Sequence, residues 1–315
     1  MKGNGLMLSY QQKEFWQENG YLVLPQFFSQ QQVEKIVRLH KKVFKRCPDN
    51  VVVDDIKTNR RCYASSLSAR EKKHPLKVND LYLNYDEVRS LSLNENLVEI
   101  LNELLSDKPV LCNTLSLDYG TQQFLHVDSL YMTPLTDQHL AATWIALEDC
   151  HPDAGPLVYV PGSHKIPIYQ FSTGSAHQVN EEFPKWQEYI EENFRKRDLK
   201  EEVFLPKKGD VFIWHAQLLH GGSAINNPKL TRKSIVSHYF TESDCKQLRS
   251  KLVSHGSGYW MDRPPQQVLE ASGNHKNITS SRLLILKIEH VIRTTLHYFR
   301  LWKKNVLKFP DFSSK

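Results

Sequence analysis

The chain has 315 residues, of which 40% are hydrophobic and 24% are charged, which are ordinary values for a globular protein that builds a full core. Its formal net charge of +6 equals the charge of residues 282–308, where seven basic residues stand against one acidic residue. The rest of the chain is formally neutral, which excludes the broadly basic surface typical of nucleic-acid-binding proteins.

The start of the chain turns polar by Gln11, and no apolar run is long enough to cross a bilayer. We therefore expect a cytoplasmic protein. The five cysteines are scattered, odd in number and without a Cys-x-x-Cys pair. This pattern favours free thiols over a disulfide framework or a thiolate zinc site.

The first predicted elements are two helices separated by a strand. Residues 10–18 read as a short helix that ends near Gly20, and residues 21–24 read as a strand. A second helix begins at Ser29, where Gln32 completes a capping box and apolar residues recur at helical spacing. We expect this helix to pack on the outside of a sheet.

Residues 45–80 show no clear periodicity and are rich in lysine and arginine. This composition predicts a long, solvated loop with short elements. A second interpretation is a mouth that receives an anionic substrate.

A helix at 94–105 and a strand at 110–118 lead to the run 124–132, which we predict to be a strand. Side chains alternate along a strand, so His126 and Asp128 are expected to project to the same side. An imidazole and a carboxylate are two of the three ligands of the facial arrangement that binds Fe(II). A His–Asp hydrogen bond within a core explains the pair equally well.

Two further strands and an insert follow. Residues 139–149 read as a strand buried on both faces, and residues 155–160 as a strand that ends in a turn before His164. His164 is expected to cap this turn, with a place at a pocket mouth as the alternative. The insert at 165–200 has helical periodicity, and its aromatic residues either pin it to the barrel, which we favour, or face a substrate.

The segments 209–223 and 231–240 supply a third ligand and a cation. The first reads as a turn and a short apolar strand, followed by His220 beside two glycines. Arg232 opens the next strand, from which its guanidinium can reach a carboxylate bound beside the metal. Ser234 is expected to face the same side.

Together these residues resemble the phytanoyl-CoA dioxygenase family (PhyH) of Fe(II)- and 2-oxoglutarate-dependent oxygenases, over about residues 10 to 245. The resemblance is carried by His126, Asp128, His220 and Arg232, by the run 155–164 and by the run 19–25. It implies a mainly β fold with flanking helices (α+β), namely a double-stranded β-helix, which is a jelly-roll, cupin-like barrel.

The resemblance also implies a set of roles. Fe(II) is held by His126, Asp128 and His220, and the far carboxylate of 2-oxoglutarate by Arg232 and Ser234. Trp144 either walls the 2-oxoglutarate pocket or is a core aromatic residue. The implied reaction consumes O2, releases succinate and CO2 and hydroxylates a small organic molecule, with ascorbate as the reductant in an assay.

Two other histidines of the same segments are also possible metal ligands. We assign His215 and His238 to structural roles or to contacts with the ligands, because His215 lies too far before the two glycines.

Two other functions use the same residues. A divalent-metal hydrolase could employ the triad, since three protein ligands and a water also form a catalytic zinc site, but Arg232 and Ser234 would then have no task. A non-catalytic barrel that acts as a binding or scaffold protein is the second alternative, and an intact triad argues against it.

The chain is expected to divide at residue 270. Residues 1–270 form the oxygenase domain, with the N-terminal helices and the insert, and residues 271–315 form a basic amphipathic helix. Such a helix either covers the barrel or contacts an anionic membrane or a protein partner through residues 282–308.

Overall fold

The computed structural model describes residues 7–268. Its α-helices are α1 (Tyr10–Asn19), α2 (Gln30–Arg46), α3 (Asp86–Ser92), α4 (Glu95–Leu105), α5 (Phe183–Lys196) and α6 (Glu242–Gln247). Its strands are β1 (Tyr21–Leu24), β2 (Val52–Asp55), β3 (Arg60–Tyr63), β4 (Leu76–Asn79), β5 (Pro109–Leu117), β6 (Leu140–Ala146), β7 (Leu157–Tyr159), β8 (Glu202–Phe204), β9 (Val211–His215), β10 (His220–Gly222), β11 (Ser234–Thr241), β12 (Leu252–His255) and β13 (Gly258–Met261).

The strands form two sheets. The larger has the order β1-β9-β6-β11-β5-β4-β2-β3, with the hairpin of β12 and β13 added at β5, and the smaller has the order β10-β7-β8. All pairs are antiparallel except β13 with β5. Trp144 and Phe212 of the larger sheet share one buried cluster with Tyr159 and Phe204 of the smaller sheet. The interior of the barrel therefore lies between the two sheets.

Helices cover the other face of the larger sheet. Helix α2 begins at the capping box that the sequence predicts, since the Ser29 side chain accepts a hydrogen bond from the Gln32 amide and the Gln32 side chain accepts one from the Ser29 amide. Its apolar side packs against Ile145 and Ile235 in the largest buried cluster. The buried face of α2 also carries His40, whose pKa is lowered to about 4 by burial and by the charge of Lys233.

The prediction of a long loop with short elements at 45–80 is correct about the short elements but wrong about the loop. This region contains β2, β3 and β4, which extend the larger sheet. Asp54 receives ion pairs from Arg61 at 2.6 Å and Lys77 at 2.9 Å, on the two neighbouring strands. Each of these strands has only four residues, and in β2 and β3 the charged residues are adjacent and do not alternate with the apolar ones, so the sequence shows little periodicity.

The prediction of a strand at 124–132 is also wrong. Only His126 pairs with another strand, as an isolated antiparallel bridge to His220, and Asp128–Leu130 then form a turn of 3-10 helix. The other predicted helices and strands within residues 10–240 are present, with ends shifted by a few residues.

The insert after β7 contains α5, and aromatic packing holds it in place. Trp186 is 3% exposed and shares a buried cluster with Phe171, Val127 and Leu219. The favoured interpretation, that aromatic residues pin the insert, therefore holds for Trp186. Within residues 7–268 no helix is long and apolar enough to span a bilayer. The predicted C-terminal helix lies outside the described residues.

Candidate metal centre

His126 and His220 are brought together by their backbones. The amide of His126 donates to the carbonyl of His220 at 2.9 Å, and the amide of His220 donates to the carbonyl of His126 at 3.0 Å. This closely paired bridge places the two imidazole rings side by side, with centroids 4.4 Å apart.

The free nitrogen of each ring follows from its hydrogen bonds. Nδ1 of His126 lies 2.8 Å from the carbonyl of Phe124, and Nδ1 of His220 lies 2.9 Å from the carbonyl of Leu218. A carbonyl can only accept, so each Nδ1 carries the hydrogen and each Nε2 keeps a lone pair. Burial lowers the pKa of His126 to about 3, and neighbouring His220 contributes to this shift. Both rings therefore turn Nε2, and not Nδ1, to a metal ion.

Asp128 is the third residue of the group and lies at the start of the short 3-10 turn. Its Oδ2 accepts a hydrogen bond from the indole of Trp214 at 2.7 Å. Its Oδ1 lies 3.5 Å from Nε2 of His220 and 3.5 Å from Nε2 of His238. Burial alone would raise the pKa of Asp128, but the histidines around it, first His220 and then His238, hold that pKa well below its usual value. The carboxylate is therefore ionised and can bind a cation.

His126, Asp128 and His220, here called the metal triad, each offer one ligand atom, and these atoms lie within 4.8 Å of one another. All three residues are buried. Two neutral imidazoles and a carboxylate are the donor set of the facial Fe(II) site, which keeps other coordination positions open. The residues present therefore fit iron.

His238 connects Asp128 with a chain of polar residues. Its Nδ1 lies 3.0 Å from Oδ1 of Asn113, and the amide group of Asn113 donates to Asp80 at 2.8 Å. Arg263 pairs with Asp80 at 2.8 Å. Such a contact was predicted for His238 but not for Trp214, since no local sequence pattern marks an indole that reaches a residue 86 positions away.

Arg232, Ser234 and Trp144 lie inside the barrel and are almost fully buried. Arg232 donates to the carbonyl of Gly155 at 2.7 Å, and its guanidinium carbon lies 5.7 Å from the ring centroid of Trp144. Burial lowers the pKa of Arg232 to about 10, so it remains charged at neutral pH. Nε of Arg232, Oγ of Ser234 and Nε1 of Trp144 have no hydrogen-bond partner among the residues that the structure describes. These three donors suit a carboxylate.

The structure gives His215 and His164 no place in this group. Nδ1 of His215 accepts the amide of Gln217 at 3.1 Å, and its ring lies 5.5 Å from that of His164. Nε2 of His164 lies 3.1 Å from the carbonyl of Gln17 and thus ties the turn after β7 to α1. Both residues therefore have structural roles, as expected for His215, whereas His164 contacts α1 and does not cap its own turn as predicted.

A family model described as phytanoyl-CoA dioxygenase (PhyH) matches residues 16–234, more than half of the chain. The chain belongs to the phytanoyl-CoA dioxygenase family. It is 25% identical over 270 residues to the peroxisomal phytanoyl-CoA dioxygenase of Rattus norvegicus, covering 79% of this chain and 72% of the relative. It is 23% identical to a probable alpha-ketoglutarate-dependent hypophosphite dioxygenase of Stutzerimonas stutzeri, over 74% of this chain and 78% of that protein.

Solved structures share the fold of this family member. The alpha-ketoglutarate-dependent carbocyclase SnoK matches 80% of this chain and 93% of its own, with a TM-score of 0.55 and 19% identity. EctD from S. alaskensis with bound Fe matches 78% of this chain and 80% of its own, with a TM-score of 0.56 and 15% identity. The predicted family, the jelly-roll fold and the dioxygenase class are thus confirmed.

Proposed function

We propose that this phytanoyl-CoA dioxygenase family member is an Fe(II)- and 2-oxoglutarate-dependent dioxygenase that hydroxylates a small organic molecule and releases succinate and CO2. The observation that carries the proposal is the combination of the metal triad with the buried, incompletely bonded Arg232 in one barrel. The metal triad provides the ligands of a metal site, and Arg232 provides the charge that binds an anionic co-substrate.

Each residue has a task in this reaction. Nε2 of His126, Nε2 of His220 and the carboxylate of Asp128 hold the iron, which when bound supplies the activation of O2. Trp214 and His238 keep the Asp128 carboxylate in place through their contacts with its two oxygens.

The donors around Arg232 bind the other end of the co-substrate. Arg232, Ser234 and Trp144 offer unpartnered hydrogen-bond donors to the far carboxylate of 2-oxoglutarate. Because they are buried, this charge-assisted contact is shielded from water and from salt.

Arg232 and the two histidine ligands argue against the two alternative functions. A hydrolase that uses the metal triad has no use for Arg232, which is buried with an unpartnered Nε. Burying this guanidinium carries a desolvation cost that a hydrolase would not recover. A scaffold has no need of two histidines whose Nδ1 hydrogens are fixed so that both Nε2 atoms are free.

The decisive experiment measures succinate release by the purified protein given Fe(II), ascorbate, O2 and 2-oxoglutarate. We expect succinate even without a further substrate, and no release when Zn(II) replaces Fe(II), because zinc has no redox chemistry. The Asp128→Ala protein is the matched control and should release none. Hydrolysis of ester or amide substrates supported by Zn(II), without succinate release from the Fe(II) protein, would establish the hydrolase instead.

The names of the relatives give two different substrates, phytanoyl-CoA for the rat protein and hypophosphite for the bacterial one. The substrate of this chain must therefore be inferred from its own site. The cytoplasmic location and a membrane or protein contact through residues 282–308 stay predictions.

A further inference from the structure

The segment just before the metal triad is tied closely to β10. The amide of Gly222 donates to the carbonyl of Gln123 at 2.9 Å, and the side-chain oxygen of Gln122 accepts the amide of Ile225 at 3.1 Å. A Cβ at Gly221 would lie 2.6 Å from the carbonyl oxygen of Gln123, so only glycine permits this approach. The backbone of Gln123 is consequently held at a fixed position next to the metal triad.

The side chain of Gln123 points at a metal ligand. Its Nε2 lies 3.3 Å from Nε2 of His126, the nitrogen that keeps a lone pair for the iron. A metal ion that takes this lone pair leaves one N–H of the Gln123 amide without its acceptor. In the loaded protein this N–H is therefore available to a new acceptor beside the iron.

Tyr131 lies on the other side of the same histidine. Its ring centroid is 5.6 Å from that of His126, and 44% of its surface is exposed. A hydrogen bond from the Gln123 side chain and the charge of Asp128 both act on its hydroxyl group. The hydroxyl group therefore lies close to Gln123 and to the metal triad.

An aromatic wall adjoins these two polar groups. Phe124 is 38% exposed, and its ring centroid lies 6.1 Å from His126 and 5.5 Å from Phe183 at the start of α5. Phe183 in turn stacks on buried Trp186 at 5.3 Å, which fixes its orientation. Rings in such an arrangement favour a flat, apolar ligand group by edge-to-face or offset contacts.

We propose that Gln123 and Tyr131 bind an uncharged polar group of the substrate beside the iron, and that Phe124 and Phe183 receive an adjoining ring. The proposal rests on the proposed function and names its substrate class, which is a ring-bearing amide, alcohol or carbonyl compound. An uncharged group fits because both binding side chains are uncharged and offer hydrogen bonds, not an opposite charge.

The test uses the full-length Fe(II) protein and three ring-bearing probes: N-acetyl-L-phenylalaninamide, N-acetyl-L-tryptophanamide and 3-phenylpropanol. Octanoyl-CoA, a charged thioester with a linear chain, is the comparison. Succinate release is measured with and without each probe. We expect at least one ring-bearing probe to raise the rate above that of 2-oxoglutarate alone, and to be hydroxylated.

The residues are tested with Gln123→Leu, Tyr131→Phe and Phe124→Ala. Each is expected to raise the KM for the stimulating probe about tenfold, the effect of one lost hydrogen bond or ring contact, while the affinity for Fe(II) is kept. The controls are Gln247→Leu, at an exposed position at the end of α6, and Phe15→Ala on α1, where the ring is 41% exposed and contacts Tyr21. Both should behave as wild type.

Three results would overturn the proposal. The first is stimulation by octanoyl-CoA and by no ring-bearing probe, and the second is the absence of stimulation by any of the probes. The third is a KM that stays at the wild-type value in all three variants, with correct folding checked by thermal melting. Failure of the proposed function is a separate outcome, because the wild-type protein would then release no succinate from 2-oxoglutarate alone.

Discussion

Replacing Trp214 by phenylalanine removes an indole N–H from the metal centre while it keeps an aromatic ring in the core. Oδ2 of Asp128 accepts this N–H at 2.7 Å, and both residues are buried, so water cannot easily replace the donor. A hydrogen bond to a charged group contributes about 1.5–3 kcal/mol. We therefore expect the dissociation constant for Fe(II) to rise by about 10- to 100-fold, which is also the usual range for losing a contact that orients a metal ligand.

The assay is an anaerobic Fe(II) titration, supported by the Fe(II) concentration that gives half-maximal succinate release. Trp186→Phe is the matched control, because Trp186 is equally buried but lies in the cluster of the insert. The control corrects for the cavity that a smaller ring leaves in a core. If the two variants bind Fe(II) with affinities within a factor of two of each other, the hydrogen bond from Trp214 does not position Asp128.

Four other predictions concern the metal, the co-substrate, pH and the tail. Alanine at any residue of the metal triad should abolish Fe(II) binding with little change in melting temperature; near-normal 2-oxoglutarate turnover in any of the three contradicts the ligand assignment. Arg232→Leu should raise the KM for 2-oxoglutarate roughly 30-fold, from a loss on the order of 2 kcal/mol, with iron binding kept; an unchanged KM places the carboxylate elsewhere. The pKa of His40 is about 4 in the folded chain, below its ordinary value, so the unfolded chain binds more protons and stability falls as pH drops from 6.5 toward 4. When the pH is lowered from 7 to 5, the free energy of unfolding in urea titrations should fall by about 2 kcal/mol less for His40→Leu than for wild type. Equal falls for the two proteins would contradict this expectation. Deleting residues 280–315, which removes eight basic and two acidic residues, should abolish salt-sensitive binding to anionic vesicles; a full-length protein that ignores such vesicles excludes the anchor.

Local signals explain what the sequence predicted well. The capping box at Ser29 and the left-handed Gly20 at the end of α1 are decided by neighbouring residues, so these helices could be read directly. The strands β2 to β4 could not be predicted in this way, because they are stabilised by ion pairs across strands and by pairing with one another, with β4 also paired to β5. Tertiary contacts of this kind override weak local preferences.

The structure brings the predicted metal ligands together, although partly for a reason other than the expected one. His126 and Asp128 do converge, but Asp128 lies in a 3-10 turn and not in a strand, so the alternation of side chains along a strand does not explain their geometry. What brings His126 to His220 is the backbone bridge between distant segments. The two glycines after His220 looked like a simple break in a strand, whereas Gly221 allows the close approach of the Gln123 carbonyl.

The contacts to Asp128 show why strand order matters more than sequence distance. Trp214 on β9 and His238 on β11 are both paired with Ala142 on the intervening strand β6. Neighbouring strands lie about 4.8 Å apart, so the two side chains rise from points about 10 Å apart on the same face of the sheet. Asp128 lies between them and contacts Trp214 through Oδ2 and His238 through Oδ1. Two residues on strands that are not consecutive in the chain therefore reach the same carboxylate, because both strands pair with β6.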